Sequence, residues 1–173
     1  MLAAAASLVA LLATGAQAAT PSPCSRVSAA AVSAIVGYKV PAPIANTTHL
    51  PAVAKDHFIS SVETSCTYGP QKTLPEIEKA VTLQVATTSK ALSIAGVKKN
   101  LAAEEKTSHA AKWTINDYHG LGVPAVYVTL KLAGLTGQVI TAVSGTHTYG
   151  AVVESSHISL TQLASLARLA AKL

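Results

Sequence analysis

Val81, Leu83 and Val85 alternate with Thr82 and Gln84, the period-two signature of a strand with one buried face. Comparable alternation and β-branched runs predict strands at Ser65–Tyr68, Trp113–Tyr118, Ala125–Leu130, Gln138–Ser144 and Tyr149–Glu154. Gly134, Gly137 and Gly145 lie in or beside the turns between the last three, which marks hairpins in an antiparallel meander. Tyr38-Lys39-Val40 reads as one further short strand. Residues 41–64 read instead as a long irregular loop, because Pro41, Pro43 and Pro51 interrupt any ladder and His49, Asp56, His57 and Glu63 are polar.

Three stretches carry a helical period. Ser28 is placed to cap a helix ending at Val36, with Val27 and Val32 at staple spacing and Gly37 as the stop. Ser89 is read as the cap of a second helix reaching about Glu105, where Ile94, Val97 and Leu101 form one stripe and Lys98, Lys99 and Glu104 lie outside it. A third, from about Ser159 to Lys172, gathers Leu160, Leu163, Leu166, Ala167, Ala170 and Leu173 on one side and Arg168 and Lys172 on the other. The order predicts an α+β fold: a mostly antiparallel sheet packed on one side by helices. It also falls into two meander-plus-helix halves, which leaves room for a pseudo-repeat.

The first 19 residues change the picture of where the chain works. An apolar run to Leu12 precedes Ala16-Gln17-Ala18, the small-x-small pattern of a signal-peptide cleavage site, and no Lys or Arg stands before it. The run is shorter than the ~20 residues that span a bilayer. The remainder, residues 20–173, has the size of one domain. An exported chain with two cysteines is expected to pair them, so a single disulfide between Cys24 and Cys66 is predicted. Thr20-Pro21-Ser22-Pro23 does not form the lipobox that precedes a lipidated cysteine. The reading is therefore a secreted or periplasmic protein that is not lipid-anchored and has no transmembrane span in its mature part.

The net charge of +5 draws such a protein to anionic surfaces through a screened field. Nucleic acid is disfavoured, since no basic stripe carries interleaved aromatics.

Candidate chemistry is sparse. The six histidines, His49, His57, His109, His119, His147 and His157, show no paired-ligand spacing for zinc. Asp117-x-His119 at a strand end is the nearest to a base-and-orienter pair, and His147 is the third member of a weak candidate polar site. Glu154 stands close enough in sequence to orient His157. There is no Gly-x-Ser-x-Gly elbow and no phosphate-binding glycine loop; Glu76, Glu78, Glu104 and Glu105 read as solvated. Asn46-Thr47-Thr48 is a sequon that matters only in a eukaryotic secretory host. No cofactor or metal is implied.

Pro23-Cys24-Ser25 before the capped Ala-rich helix Ser28–Gly37, Ser65-Cys66-Thr67-Tyr68, Gly120-Leu121-Gly122-Val123-Pro124-Ala125 and the closing Leu163–Leu173 together resemble a loose group of exported bacterial, mainly actinobacterial-type, envelope proteins that share a domain of unknown function. The resemblance covers most of residues 20–173 and implies an α/β envelope protein without catalytic residues to transfer. Val123 replaces the acidic residue usual after the Gly-Leu-Gly turn. The combined expectation is a monomeric, non-enzymatic protein that binds an envelope protein, a small ligand or an anionic surface. Two alternatives stand beside it: an inhibitor of a secreted enzyme that uses residues 41–64 as a wedge, and a hydrolase with dispersed residues built on Asp117, His119 and His147.

Overall fold

The computed structural model describes residues 22–51, 60–70, 72–107, 112–132, 135–155 and 157–173; the leader read from residues 1–19 lies outside them. Seven strands form one antiparallel sheet: β1 (Ile44–Leu50), β2 (Ser61–Tyr68), β3 (Val81–Thr88), β4 (Lys112–Tyr118), β5 (Ala125–Leu132), β6 (Leu135–Ser144) and β7 (His147–Val153). Their order is β1-β2-β3-β7-β6-β5-β4. Around them stand a 3-10 turn (Pro23–Arg26) and helices α1 (Ala29–Val36), α2 (Leu74–Ile77), α3 (Ile94–Thr107) and α4 (Leu160–Ala170). The class is the α+β arrangement that the hydrophobic pattern implies. The chain makes one meander, β1–β3, followed by α3, then a second, β4–β7, followed by α4; the β3–β7 pairing joins the two.

Register decides which residues share a face. Cys66 lies opposite Leu83, Leu83 opposite Ala151, and Ala151 opposite Ile140, so one row of buried side chains crosses four strands. Helix α4 lays Leu163, Leu166, Ala167 and Ala170, all fully buried, against this face, and α1 packs beside it. Leu160 departs from the buried side and is 37% exposed. The opposite face buries Val126 and Val128 of β5, next to Ile115 of β4. Helix α3 packs against β4 and β5 there, since Lys98 reaches Asp117, which shares that face. The two post-meander helices thus cover opposite sides of the sheet, so within the expected α+β class the helices are not confined to one side, because α3 follows the Asp117 face of β4.

Local chemistry fixes the ends. Ser28 Oγ accepts from the Ala31 N–H and Gly37 closes α1 in the left-handed region at φ 82°. Ser159 and Gln162 form a reciprocal capping box on α4. Gln162 Nε2 also donates to the Ile35 carbonyl at 2.8 Å, and Arg26 donates to the Leu173 carbonyl at 2.8 Å, so α4 is tied at both ends to the N-terminal segment.

The disulfide between Cys24 and Cys66 is present, with Cα atoms 5.5 Å apart and both cysteines buried. Two residues along β2, the Tyr68 hydroxyl donates to the Val27 carbonyl at 2.8 Å. These bonds press the 3-10 turn and the entry to α1 onto the first meander.

Three local expectations change. The stretch expected to be irregular, 41–64, contains β1 and the first half of β2, which pair from Ile44↔Thr67 to Leu50↔Ser61. Pro41 and Pro43 precede β1 and Pro51 follows it, so the prolines bound the strand instead of breaking it. Residues 52–59, with Asp56 and His57, lie outside the described residues. Tyr38-Lys39-Val40 joins no ladder: the Val40 N–H donates to Ser33 Oγ and the Tyr38 hydroxyl to the Lys79 carbonyl, which folds the segment back on α1 and the β2–β3 connection. Helix α3 starts at Ile94 and not after Ser89. The Ser89 N–H is taken by the Ser60 carbonyl and the Leu92 N–H by the Gly145 carbonyl, so this link stays extended until Ser93 Oγ accepts from the Gly96 N–H.

Gly150 has a separate constraint. It sits buried in β7 between Gln84 and Thr141, where a Cβ would fall on the Ile140 carbonyl oxygen. Gly150→Ala is expected to destabilise the fold by about 1–3 kcal/mol, as overpacking does, read by urea unfolding; an unchanged midpoint would contradict the close approach. Replacing both cysteines by serine is expected to cost about 4 kcal/mol from loop entropy in the same assay, and coincident unfolding curves would show that the bond contributes nothing.

Candidate functional site

The end of β4 and the turn into β5 form a shallow cleft against the start of α3. Ile94, Asp117, His119, Val123 and Pro124 line it, and its volume is about 390 Å³. The turn is built by Gly122 at φ 76°, and Arg168 of α4 donates to the Gly120 carbonyl at 2.6 Å, which holds the turn against the helix. Asp117 projects into the cleft but is already partnered: both of its carboxylate oxygens accept from Lys98 Nζ at 3.1 Å. The pair is half exposed, so it is an ordinary surface ion pair of small energetic weight.

The structure brings Asp117 and His119 to one cleft and leaves His147 elsewhere. His147 opens β7, with Nδ1 3.2 Å from Thr87 Oγ1. It shares the face of Thr87 that carries Leu83, opposite to the face of Asp117. Three strand steps separate β7 from β4, roughly 14 Å at ~4.8 Å each. Glu154 and His157 share no hydrogen bond among the described residues; the His157 N–H donates to Ser155 Oγ. His57 and His109 lie outside those residues. Among the described residues no group of three or more His, Cys, Asp or Glu side chains gathers as a metal site.

Two further depressions are open to solvent. One, about 440 Å³, lies where the hairpin β1–β2 meets the end of β3, lined by His49, Pro51, Ser61, Val62 and Thr87. The other, about 320 Å³, lies beside the disulfide between Ser25, Ser28 and Pro43.

Charge is distributed with more asymmetry than the cavities. Three acidic groups are held locally, Asp117 by Lys98, Glu76 by the N–H groups of Lys72 and Thr73, and Glu105 by the Trp113 N–H, while Glu78 is exposed. Glu76, read from the sequence as solvated, is therefore the capping-box partner of α2, and Glu105, read the same way, ties the end of α3 to the start of β4. Among the described residues Lys98 is the one cation in an ion pair. Lys112 of the edge strand β4 stands directly opposite Lys131 of β5, and both are exposed. Like charges in such a pair repel. This juxtaposition depends on the register that the short connection 119–124 sets between β4 and β5, and no signal in the sequence pointed to it.

Gln138 was also missed. It is buried in β6, accepts from the Tyr127 hydroxyl at 2.8 Å, and donates to the Ser155 and Ile158 carbonyls. It therefore satisfies the turn from β7 into α4 and is a structural hub.

No protein-family model, no curated protein and no solved structure matches the chain.

Burial raises the Tyr68 phenol to about 12, and the Tyr38 phenol is raised for the same reason. In the unfolded chain these phenols ionise through about pH 10, while in the fold they keep their protons. The unfolded state therefore binds fewer protons above pH 10, and the stability present below that pH falls as pH rises toward 12. Tyr68→Phe is expected to start less stable, because the Val27 carbonyl loses its donor, yet to lose less between pH 10 and 12. Equal losses in both proteins would contradict the assignment.

Proposed function

We propose that the protein is an exported, non-enzymatic binding protein whose target is an anionic surface outside the cytoplasm, a phosphate-bearing lipid leaflet or wall polymer. The observation that carries this reading is the set of exposed cations that form no ion pair among the described residues, above all the opposed pair Lys112 and Lys131 on the β4 side of the sheet. A like-charge pair costs energy in the free protein and loses that cost when an anion lies over it. The position of this pair at a sheet edge, clear of α4 and α1, suits contact with an extended surface.

Other features support the reading. The Ala16-Gln17-Ala18 pattern and the Cys24–Cys66 bond fit a chain that leaves the reducing compartment. Among the described residues no helix is long and apolar enough to cross a membrane, so contact with a lipid surface would be peripheral. A hydrolase built on Asp117, His119 and His147 is disfavoured by their separation and by the ion pair that occupies Asp117.

The test is co-sedimentation with vesicles of phosphatidylglycerol and of phosphatidylcholine, repeated with a soluble polyphosphate as competitor, at low and high salt. Retention by the anionic vesicles, lost at high salt, is the expected result. Each lysine near an anionic surface contributes about 1 kcal/mol, so Lys112→Glu with Lys131→Glu is expected to weaken binding by at least about tenfold. Polyphosphate competition would assign the contact to phosphate groups in general; indifference to it would assign it to the lipid leaflet. Equal retention by both vesicle types, or none by either, would overturn the proposal.

A further inference from the structure

The sheet has two edges, and they are treated differently. Edge β4 carries Lys112 and Asp117 and is flanked by α3, while edge β1 is touched by the 3-10 turn Pro23–Arg26. Edge β1 carries no charge at all: Ile44-Ala45-Asn46-Thr47-Thr48-His49-Leu50 has neither Lys, Asp nor Glu, and its prolines stand outside it. It pairs with β2 in continuous register, without a bulge, over all seven positions. Residues 44–49 are exposed, Ile44 to 70%. Among the described residues no strand pairs with its outer side, and natural sheet proteins usually blunt such an edge, because its N–H and C=O groups are a template for another strand.

We propose that β1 is a self-association edge, and that its occupant is β1 of a second copy, paired antiparallel about a two-fold axis through Thr47. The symmetry restricts the choice. A two-fold axis perpendicular to the sheet keeps each face continuous, so only registers that pair residues of the same face are allowed. Of these, the register centred on Thr47 is the one that uses the whole strand. It sets Thr47 against Thr47, Asn46 against Thr48, Ala45 against His49, and Ile44 against Leu50. Polar residues meet polar ones at the centre, and exposed Ile44 meets an aliphatic position at each end. Shifting the centre to Asn46 or Thr48 shortens the ladder and sets a large aliphatic residue against a polar one, Ile44 against Thr48 or Leu50 against Asn46, whereas the Thr47 register mismatches only the small Ala45 with His49. Apart from Ala45 against His49, the β1 sequence thus matches itself read backwards, which an edge kept for a foreign peptide has no need to do.

The pairing would extend one sheet across both copies and place the two β4 edges, with their lysine pairs, at its far ends. It departs from the expectation of a monomer without depending on what the lysines bind.

Because Thr47 would lie on the axis, a charge placed there faces itself. Light scattering after size exclusion, on protein as its host releases it, is expected to give a dimer for the wild type and monomers for Thr47→Lys and for Thr47→Glu. Mixing the two variants in equal amounts is expected to restore the dimer, since the ammonium introduced in one copy then faces the carboxylate introduced in the other. Both substitutions are on an exposed position, and matching far-UV circular dichroism with an intact disulfide checks that they fold. Hydrogen exchange across 44–50 is expected to slow as wild-type concentration rises. A wild type that is monomeric at its highest soluble concentration, a dimer untouched by either charge, or monomeric variants that fail to recombine would each overturn the proposal. Binding of the monomeric variants to anionic vesicles is scored separately and bears only on the surface-binding reading.

Discussion

The N-terminal segment is fastened to β2 by two bonds that start from residues on the same side of that strand. Cys66 holds Cys24 covalently, and Tyr68 donates its hydroxyl to the Val27 carbonyl. Cys66, Tyr68 and Val32 are each fully buried. With this anchor in place, α1 presents Val32 and Val36 to the core, and its C-terminal carbonyl at Ile35 becomes the acceptor for Gln162. The last helix is then tied to the first, and Arg26 closes the circuit at the final carbonyl. A core built mainly from Val, Leu, Ile and Ala, with few large aromatics, gains from having its layers cross-linked, because each aliphatic contact is individually weak.

How much of this could be read beforehand depends on how local its cause is. The caps Ser28 and Ser159 and the stop at Gly37 are set by side-chain oxygens and a left-handed φ, so sequence spacing was enough. Strand β3 was legible because its buried positions alternate, and β5 to β7 because β-branched runs stand between glycine turns. The edge strand β1 was not, because neither face is buried: Asn46, Thr47, Thr48 and His49 carry no burial alternation, and the surrounding prolines looked like interruptions. The start of α3 was misplaced for a different reason. Ser89 has the side chain of a cap, but its N–H is claimed by Ser60 from another part of the chain, a competition that local pattern does not contain.

The candidate site shows the same division. Asp117 and His119 are two residues apart, and their joint placement in the cleft below α3 follows from chain proximity. The separation of His147, the pairing of Asp117 with Lys98, and the opposition of Lys112 and Lys131 depend on register and on which face α3 covers. These features are the ones on which the proposed surface-binding reading rests. They give the two sheet edges distinct characters, one charged and one neutral and self-complementary.

The covalent anchor is the claim on which the architecture and the proposed export both rest. Titration of free thiols in unfolded protein collected as its host releases it, followed by peptide mapping without reduction, measures it directly. The account predicts no reactive thiol and a single linked pair of peptides carrying Cys24 and Cys66. Two reactive thiols per chain, or cysteines linked between different chains, would contradict it.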